Sequence, residues 1–194
     1  MMQQIKNFGR KFFVNPIVAI LLKLKFQPNV ITISSLGFAF LSFMFYQRGT
    51  FWAGAIFLFL CGLFDTFDGE IARQIKQVTK FGGFLDSTVD RINEFIVYLG
   101  LFSYYYNKSN YVLFWIFLAM FGSMMVSYTR AKGEGLGISP QLGIFERLTR
   151  FTLLIIGSFL GAQIMIYVIV ILAIGTLVTT IQRIIFVHQQ STKS

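Results

Sequence analysis

The sequence predicts an all-α, polytopic membrane protein with six transmembrane helices and an N-terminal interfacial amphipathic helix. Of its 194 residues, 55% are hydrophobic, 18% are aromatic and 13% are charged, and the mean hydropathy is +0.67. Soluble domains carry about 25% charged residues, so this chain cannot cover a water-facing surface. The same composition and the long apolar runs exclude disordered, collagen-like and coiled-coil classes.

Residues 1–27 are predicted to form a segment that lies in the membrane interface. Basic residues alternate there with aliphatic and aromatic ones, which is too much charge for a span but typical of a surface-bound amphipathic helix. The basic residues are Lys6, Arg10, Lys11, Lys23 and Lys25. Residues 28–194 are predicted to form one membrane domain, because short connections leave no room for a separate soluble domain.

Six apolar stretches follow, and a helix needs about 20 residues to cross the hydrocarbon. The second stretch starts apolar and continues as an acidic helix to about Ile75, whereas the third is polar first and apolar later. The least marked boundary separates the last two stretches near Gly161. The predicted spans are 30–46, 51–75, 84–106, 111–128, 148–160 and 164–187.

Basic residues indicate the orientation in the cell membrane. They gather in the N-terminal segment, in the second-to-third and fourth-to-fifth connections, and near the C-terminus, while the opposite turns hold only Arg48 and Lys108. The positive-inside rule then predicts that both termini and both charged connections are cytoplasmic, which requires an even number of spans. The net charge of +9 favours anionic membrane lipids and phosphorylated substrates over nucleic acid, because the cations are dispersed at helix ends.

The acidic residues are few and concentrated. All eight lie between Asp65 and Glu146, and four aspartates lie within 26 residues. Asp65 and Asp68 are spaced i, i+3, and Asp86 and Asp90 are spaced i, i+4, so each pair shares a helix face. A short turn would bring the two pairs together at the cytoplasmic membrane edge. Four carboxylates in a low-dielectric site need cations, and hard oxygen ligands favour two Mg²⁺ or Mn²⁺ ions.

Small residues accompany the aspartates. Gly69 and Ala72 lie on the carboxylate side of the second helix and would let a ligand approach its backbone. Gly82 and Gly83 open the third helix, where free N–H groups and the positive dipole end favour an anionic group. Arg73 supplies a cation where a pyrophosphate could lie.

This stretch reads D-x₂-D-G-x₂-A-R-x₈-G-x₃-D-x₃-D, and it resembles the signature of the CDP-alcohol phosphotransferase family at every fixed position. The six-span layout is similar over essentially the whole chain. Members of this family transfer a phosphatidyl-type group from a CDP-linked lipid to an alcohol, release CMP, and are usually homodimeric. The resemblance implies a dinuclear Mg²⁺ or Mn²⁺ site on all four aspartates, with Asp90 as the general base. It also implies cytidine diphosphate contacts from Asp65, Asp68, Gly69, Ala72, Arg73 and Gly82.

Cations in the second half favour an acceptor that itself carries a phosphate. This half resembles the phosphatidylinositol-phosphate synthase branch, with a similar stretch after Ser127 and another that begins at Glu146. Leu148 and Thr149 depart from the proline and glutamate that are usual there. The resemblance implies that the acceptor phosphate is held by Arg130 or Lys132 and by Arg147, Arg150 and Arg183.

Three hypotheses follow. Inositol phosphate is the favoured acceptor, glycerol 3-phosphate or another alcohol is the alternative, and a cation channel or transporter that uses the aspartates is the non-enzyme alternative. The sequence does not distinguish diacyl from ether lipid. Glu94 either tunes the site or pairs with Arg91, and a structural role is favoured.

Overall fold

The computed structural model describes residues 15–24 and 26–192, and this part of the chain is all-helical, as predicted. Predictions for residues 1–14, Lys25 and residues 193–194 lie outside the described residues. The helices are α1 (Asn15–Lys23), α2 (Pro28–Gln47), α3 (Phe51–Gln74), α4 (Lys80–Tyr105), α5 (Asn110–Gly135), α6 (Arg147–Leu160) and α7 (Ala162–Ser191).

Helices α2 to α7 fall on the six predicted spans. Four of them, α2, α3, α5 and α7, are long and apolar enough to cross a membrane. Helix α4 carries Asp86, Asp90, Arg91 and Glu94 in its first half, and α6 has 14 residues. At about 1.5 Å per residue, α6 is roughly 21 Å long, whereas the hydrocarbon core is about 30 Å thick. Six crossings therefore stay a prediction.

The helices form two packed groups, α2 with α3 and α4, and α5 with α7, and α6 contacts both groups through α3 and α7. The main core includes Tyr46, Tyr98 and Leu172, all fully buried. The Tyr46 hydroxyl lies 2.8 Å from Ser158 Oγ and so ties α2 to α6 inside this core.

Helix α1 is the described part of the predicted interfacial segment. Its Val18 is fully buried against Ile31 of α2 and against Phe67 and Ile71 of α3. This contact places α1 beside the end of α3 that carries the acidic residues.

Two short connections decide where the site residues lie. Residues 75–79 join α3 to α4, so these helices are antiparallel and the acidic end of α3 meets the acidic start of α4. Gly161 alone joins α6 to α7, with φ of 97°, a conformation that glycine adopts without strain. The boundary between the last two predicted spans, which is the least marked in the sequence, therefore falls at Gly161.

The α5–α7 contact depends on a glycine. A Cβ at Gly122 would overlap the Thr176 hydroxyl and lie 2.9 Å from Thr176 Cβ. We expect Gly122→Ala to lower the free energy of unfolding by about 1–3 kcal/mol, because overpacking forces backbone shifts. Thermal unfolding in detergent measures this. Gly37→Ala is the matched control, since a Cβ there meets nothing within 4 Å, and we expect no destabilisation from it. Equal transition temperatures for the two variants would contradict the prediction.

Candidate active site

Three of the four predicted aspartates meet in one cluster. Asp65 comes from α3, and Asp86 and Asp90 come from α4. One carboxylate oxygen from each lies within 4.8 Å of the others, and all three side chains are half-buried. Three negative charges at this spacing need a positive partner.

Arg147, the first residue of α6, supplies a positive partner. Its Nη1 lies 2.6 Å from Asp65 Oδ2 and 2.7 Å from Asp90 Oδ1, so one nitrogen bridges the two helices of the cluster. The guanidinium also lies 4.8 Å from the ring centroid of Phe151. Its Nε and Nη2 are buried and have no hydrogen-bond partner among the described residues. These two nitrogens therefore have hydrogen-bonding capacity that the described residues do not use.

Asp68 is not part of this cluster. It is 4% exposed and accepts a 2.5 Å hydrogen bond from the hydroxyl of Thr32 on α2. Three of the four carboxylates therefore converge as predicted, while the fourth, Asp68 of α3, is hydrogen-bonded to α2. Thr32 was not among the predicted site residues, and the signal in the sequence that points to it is a hydroxyl residue within an apolar span.

A cavity of about 850 Å³ lies between the start of α2, the end of α3 and the start of α4. It collects five of the six residues that the resemblance assigns to cytidine diphosphate, while Asp65 lies outside its lining. The five are Asp68, Gly69, Ala72, Arg73 and Gly82. Asn29, Thr32 and Lys76, which were not predicted, also line it.

Two details of this cavity differ from expectation. The N–H groups of Gly82 and Gly83 are not free, because they donate to the hydroxyl and the carbonyl of Thr79. Thr79 thus caps α4, so the expectation that these N–H groups are free is wrong, while an anionic group beside Gly82 stays a prediction. Arg73 is half exposed and pairs with Glu70 at 2.9 Å, so an anion would have to compete with that carboxylate.

A second cavity, of about 440 Å³, lies between α4, α5, α6 and α7. Gly83 and Asp86 line both cavities, so the two spaces meet beside the aspartate cluster. Asp90 lines only the second cavity.

The five predicted acceptor-binding cations differ in placement. Arg130 lines the second cavity and pairs with Glu134 at 2.9 Å. Lys132 is exposed and does not line it, so the structure favours Arg130 of the two. Arg147, Arg150 and Arg183 also line it. Arg183 is buried: its Nε donates to Leu142 O at 2.9 Å and its Nη1 to Val126 O at 2.7 Å.

Arg150 is engaged differently. It is 1% exposed, and its Nε and Nη2 lie 2.6 and 2.7 Å from the two carboxylate oxygens of Glu94. The suggested Glu94–Arg91 pair is wrong, because Arg91 donates to the backbone carbonyl of Ser87 on its own helix. Spacing within α4 favoured Arg91, whereas Arg150 comes from another helix.

The described residues are all-helical and place a carboxylate cluster where two cavities meet, an arrangement that suits a metal-assisted transferase. Residues 25–182 match the family model for CDP-alcohol phosphatidyltransferase, and the chain belongs to this family. Membership in an enzyme family decides against the channel or transporter hypothesis.

Similar proteins extend the comparison. The chain is 34% identical to the archaetidylinositol phosphate synthase of Methanothermobacter thermautotrophicus, across 98% of this chain and 95% of that protein. The fold is similar to crystal structures of Mycobacterium tuberculosis phosphatidylinositol phosphate synthase, at 26% identity and a TM-score of 0.83. One has CDP-DAG bound and covers 90% of this chain and 93% of that one. The other, with manganese and citrate, covers 90% and 88%.

The aspartate cluster fits a divalent metal ion. Asp65, Asp86 and Asp90 offer hard carboxylate oxygens close to one another, which Mg²⁺ and Mn²⁺ prefer. The half-buried position leaves these charges poorly solvated, so a cation bound there would be strongly favoured.

We expect Asp86→Asn to weaken Mn²⁺ binding at least about 10-fold, because a ligating carboxylate loses its charge. Electron paramagnetic resonance of free and bound Mn²⁺, with the purified protein and no substrate, measures this. Glu134→Gln is the control, since it removes an exposed acid outside the cluster, and its Mn²⁺ affinity should stay within about twofold. If Asp86→Asn bound Mn²⁺ as tightly as the wild-type protein, the prediction of a metal site in this cluster would be contradicted.

Proposed function

We propose that this chain transfers a phosphatidyl-type group from a CDP-lipid, such as CDP-diacylglycerol, to a hydroxyl of inositol phosphate and releases CMP. One observation carries the proposal: two cavities, one lined by the signature residues and one lined by arginines, meet at Gly83 and Asp86. Such a junction lets two substrates approach one reaction centre from opposite sides.

The donor is assigned to the larger cavity. Gly69, Ala72 and Gly82 leave space for the cytidine diphosphate beside the helix backbones, and Arg73 and Lys76 offer cations. Asp68 would contact the donor or its metal from its position beside Thr32, and Asp65 would act from the cluster. The larger volume suits a nucleotide attached to a lipid.

Asp65, Asp68, Asp86 and Asp90 would hold two Mg²⁺ or Mn²⁺ ions. When bound, these ions supply positive charge that offsets the donor diphosphate and the charge developing on the departing CMP.

Asp90 is proposed as the general base. The acceptor hydroxyl gives its proton to the Asp90 carboxylate, and its oxygen forms a bond to the β-phosphorus of the donor. The bond between that phosphorus and the oxygen bridging to CMP breaks, and CMP leaves with the electron pair. Asp90 lines the acceptor cavity and not the donor cavity, which supports this role.

The acceptor phosphate is assigned to Arg130, Arg147 and Arg183. Arg147 supports this best, because two of its buried nitrogens lack a partner among the described residues. A cavity with several arginines suits a phosphorylated alcohol better than an uncharged one. The names of the archaeal and mycobacterial relatives support inositol phosphate over glycerol 3-phosphate as that alcohol.

The membrane arrangement is part of the proposal. Helices α2 to α7 would cross the cell membrane six times as one domain, residues 28–194, with residues 1–27 in the interface. Both termini and the two cavities would face the cytoplasm, where the basic connections lie. A homodimer is proposed from the family resemblance.

Purified protein with Mg²⁺ and CDP-diacylglycerol should release CMP when inositol phosphate is added. Glycerol 3-phosphate and unphosphorylated inositol should give far lower rates, because the first lacks the ring and the second lacks the anion that the arginines bind. Chromatography of CMP and of the lipid product measures both. CMP release with glycerol 3-phosphate but not with inositol phosphate would overturn the acceptor assignment.

Two cation variants test the acceptor cavity. We expect Arg147→Gln to raise the acceptor KM about 10- to 100-fold, because a charge-assisted hydrogen bond is worth about 1.5–3 kcal/mol. Lys132→Gln removes the same charge from a residue outside the cavity, and its KM should stay within about twofold. Steady-state kinetics with varied inositol phosphate give both values. Equal changes in the acceptor KM for Arg147→Gln and Lys132→Gln would contradict a role for Arg147 in binding the acceptor phosphate.

A further inference from the structure

Arg150 and Glu94 form a buried pair in the wall of the proposed acceptor cavity. Arg150 is 1% exposed and Glu94 is 3% exposed. Two parallel bonds of 2.6 and 2.7 Å join the guanidinium to the two carboxylate oxygens. This geometry is rigid, because both planar groups are held at two points.

The pair connects the two helices that bear the reaction centre. Glu94 lies one turn beyond Asp90 on α4, and Arg150 lies one turn beyond Arg147 on α6. The fork between Glu94 and Arg150 therefore lies directly next to the 2.7 Å contact between Arg147 and Asp90. Both contacts join α4 to α6, so the Glu94–Arg150 pair, by holding these helices at one separation, also sets the distance between Arg147 and Asp90.

Arg150 also holds the segment that leads into α6. Its Nη1 donates to Phe145 O at 2.9 Å. The Phe145 ring lies so close to Gly175 of α7 that a Cβ at Gly175 would overlap it. One buried guanidinium thus fixes α4, the start of α6 and, through Phe145, the contact with α7.

The hydrogen-bond partners of Arg147 and Arg150 indicate different roles for the two arginines. Arg147 keeps Nε and Nη2 without partners among the described residues, whereas Arg150 holds the buried Glu94 with two bonds of 2.6 and 2.7 Å. The nitrogens of Arg183 also donate to protein oxygens, but its one carboxylate contact is a 3.4 Å contact to the half-exposed Glu146, which an anion can displace more easily. The Nε–Nη2 edge of Arg150, which could bind a phosphate with two parallel bonds, is occupied by Glu94. A phosphate on that edge would displace Glu94 and leave a buried carboxylate uncompensated.

We infer that Arg150 is a positioning residue and not a phosphate ligand: with Glu94 it fixes where Arg147 is held against Asp65 and Asp90. This inference rests on the proposed function for its kinetic consequence and replaces the role that the resemblance implied for Arg150.

Glu94→Gln separates the two roles by the sign of its effect. If Arg150 binds phosphate, loss of the competing carboxylate leaves the acceptor KM unchanged or lower. If Arg150 positions Arg147, the weakened fork raises the acceptor KM, and we expect about a 5- to 10-fold rise. Glu134→Gln is the matched control, because it removes an acid paired with Arg130 at the same cavity, and its KM should not rise. An unchanged or lower KM for Glu94→Gln overturns the inference.

A double variant provides the second test. Arg150→Met alone leaves Glu94 buried without a partner, so we expect a rise in KM of more than 10-fold and a lower unfolding temperature. Glu94→Leu combined with Arg150→Met replaces the pair by apolar side chains, which proteins often tolerate. The double variant should recover a KM below that of Arg150→Met although it lacks the cation. A KM as high as in the single variant overturns the inference.

Mn²⁺ binding without substrate tests the same coupling when no acceptor is involved. Glu94→Gln should change the Mn²⁺ dissociation constant at least threefold, because it shifts Arg147 relative to Asp65 and Asp90. The change should vanish in the Arg147→Gln background, and an equal change in both backgrounds overturns the inference. Failure of the wild-type protein to release CMP with inositol phosphate would refute the proposed function and leave this measurement interpretable.

Discussion

The compensation of clustered negative charge is the constraint on which this structure depends. Asp65, Asp86 and Asp90 place carboxylate oxygens within 4.8 Å of one another. Two unit charges at that distance repel by about 3–4 kcal/mol at an effective dielectric constant of about 20. Arg147 offsets part of this repulsion from a helix that is remote in sequence. The position of α6 is therefore a property of the reaction centre as well as of the fold.

Helix α4 is fixed on two sides by adjacent residues. The Asn93 side-chain amide donates to Ser35 Oγ of α2 at 2.8 Å, and Glu94 holds Arg150 of α6. Both residues lie one turn beyond Asp90. The helix that contributes two carboxylates to the cluster is thus oriented by buried polar contacts, which apolar packing alone would leave less specific.

Under the proposed function, the two cavities divide the described residues into a donor part and an acceptor part. Residues from α2, α3 and α4 form the first, and they include most of the family signature. Helices α5, α6 and α7 line only the second, which is the cavity proposed to bind the alcohol. Asp86 borders both. This arrangement allows the acceptor side to vary while the phosphoryl chemistry stays the same.

The sequence by itself determined the all-helical class, the family and the pairing of aspartates on helix faces. These depend on composition and on contacts three or four residues apart, which helical geometry fixes. Tertiary structure decided that Asp68 lies with Thr32, that Arg130 rather than Lys132 lines the cavity, and that Glu94 pairs with Arg150 rather than Arg91. Each of these depends on the rotation and offset of one helix against another, and residue spacing along a single helix carries no information about either.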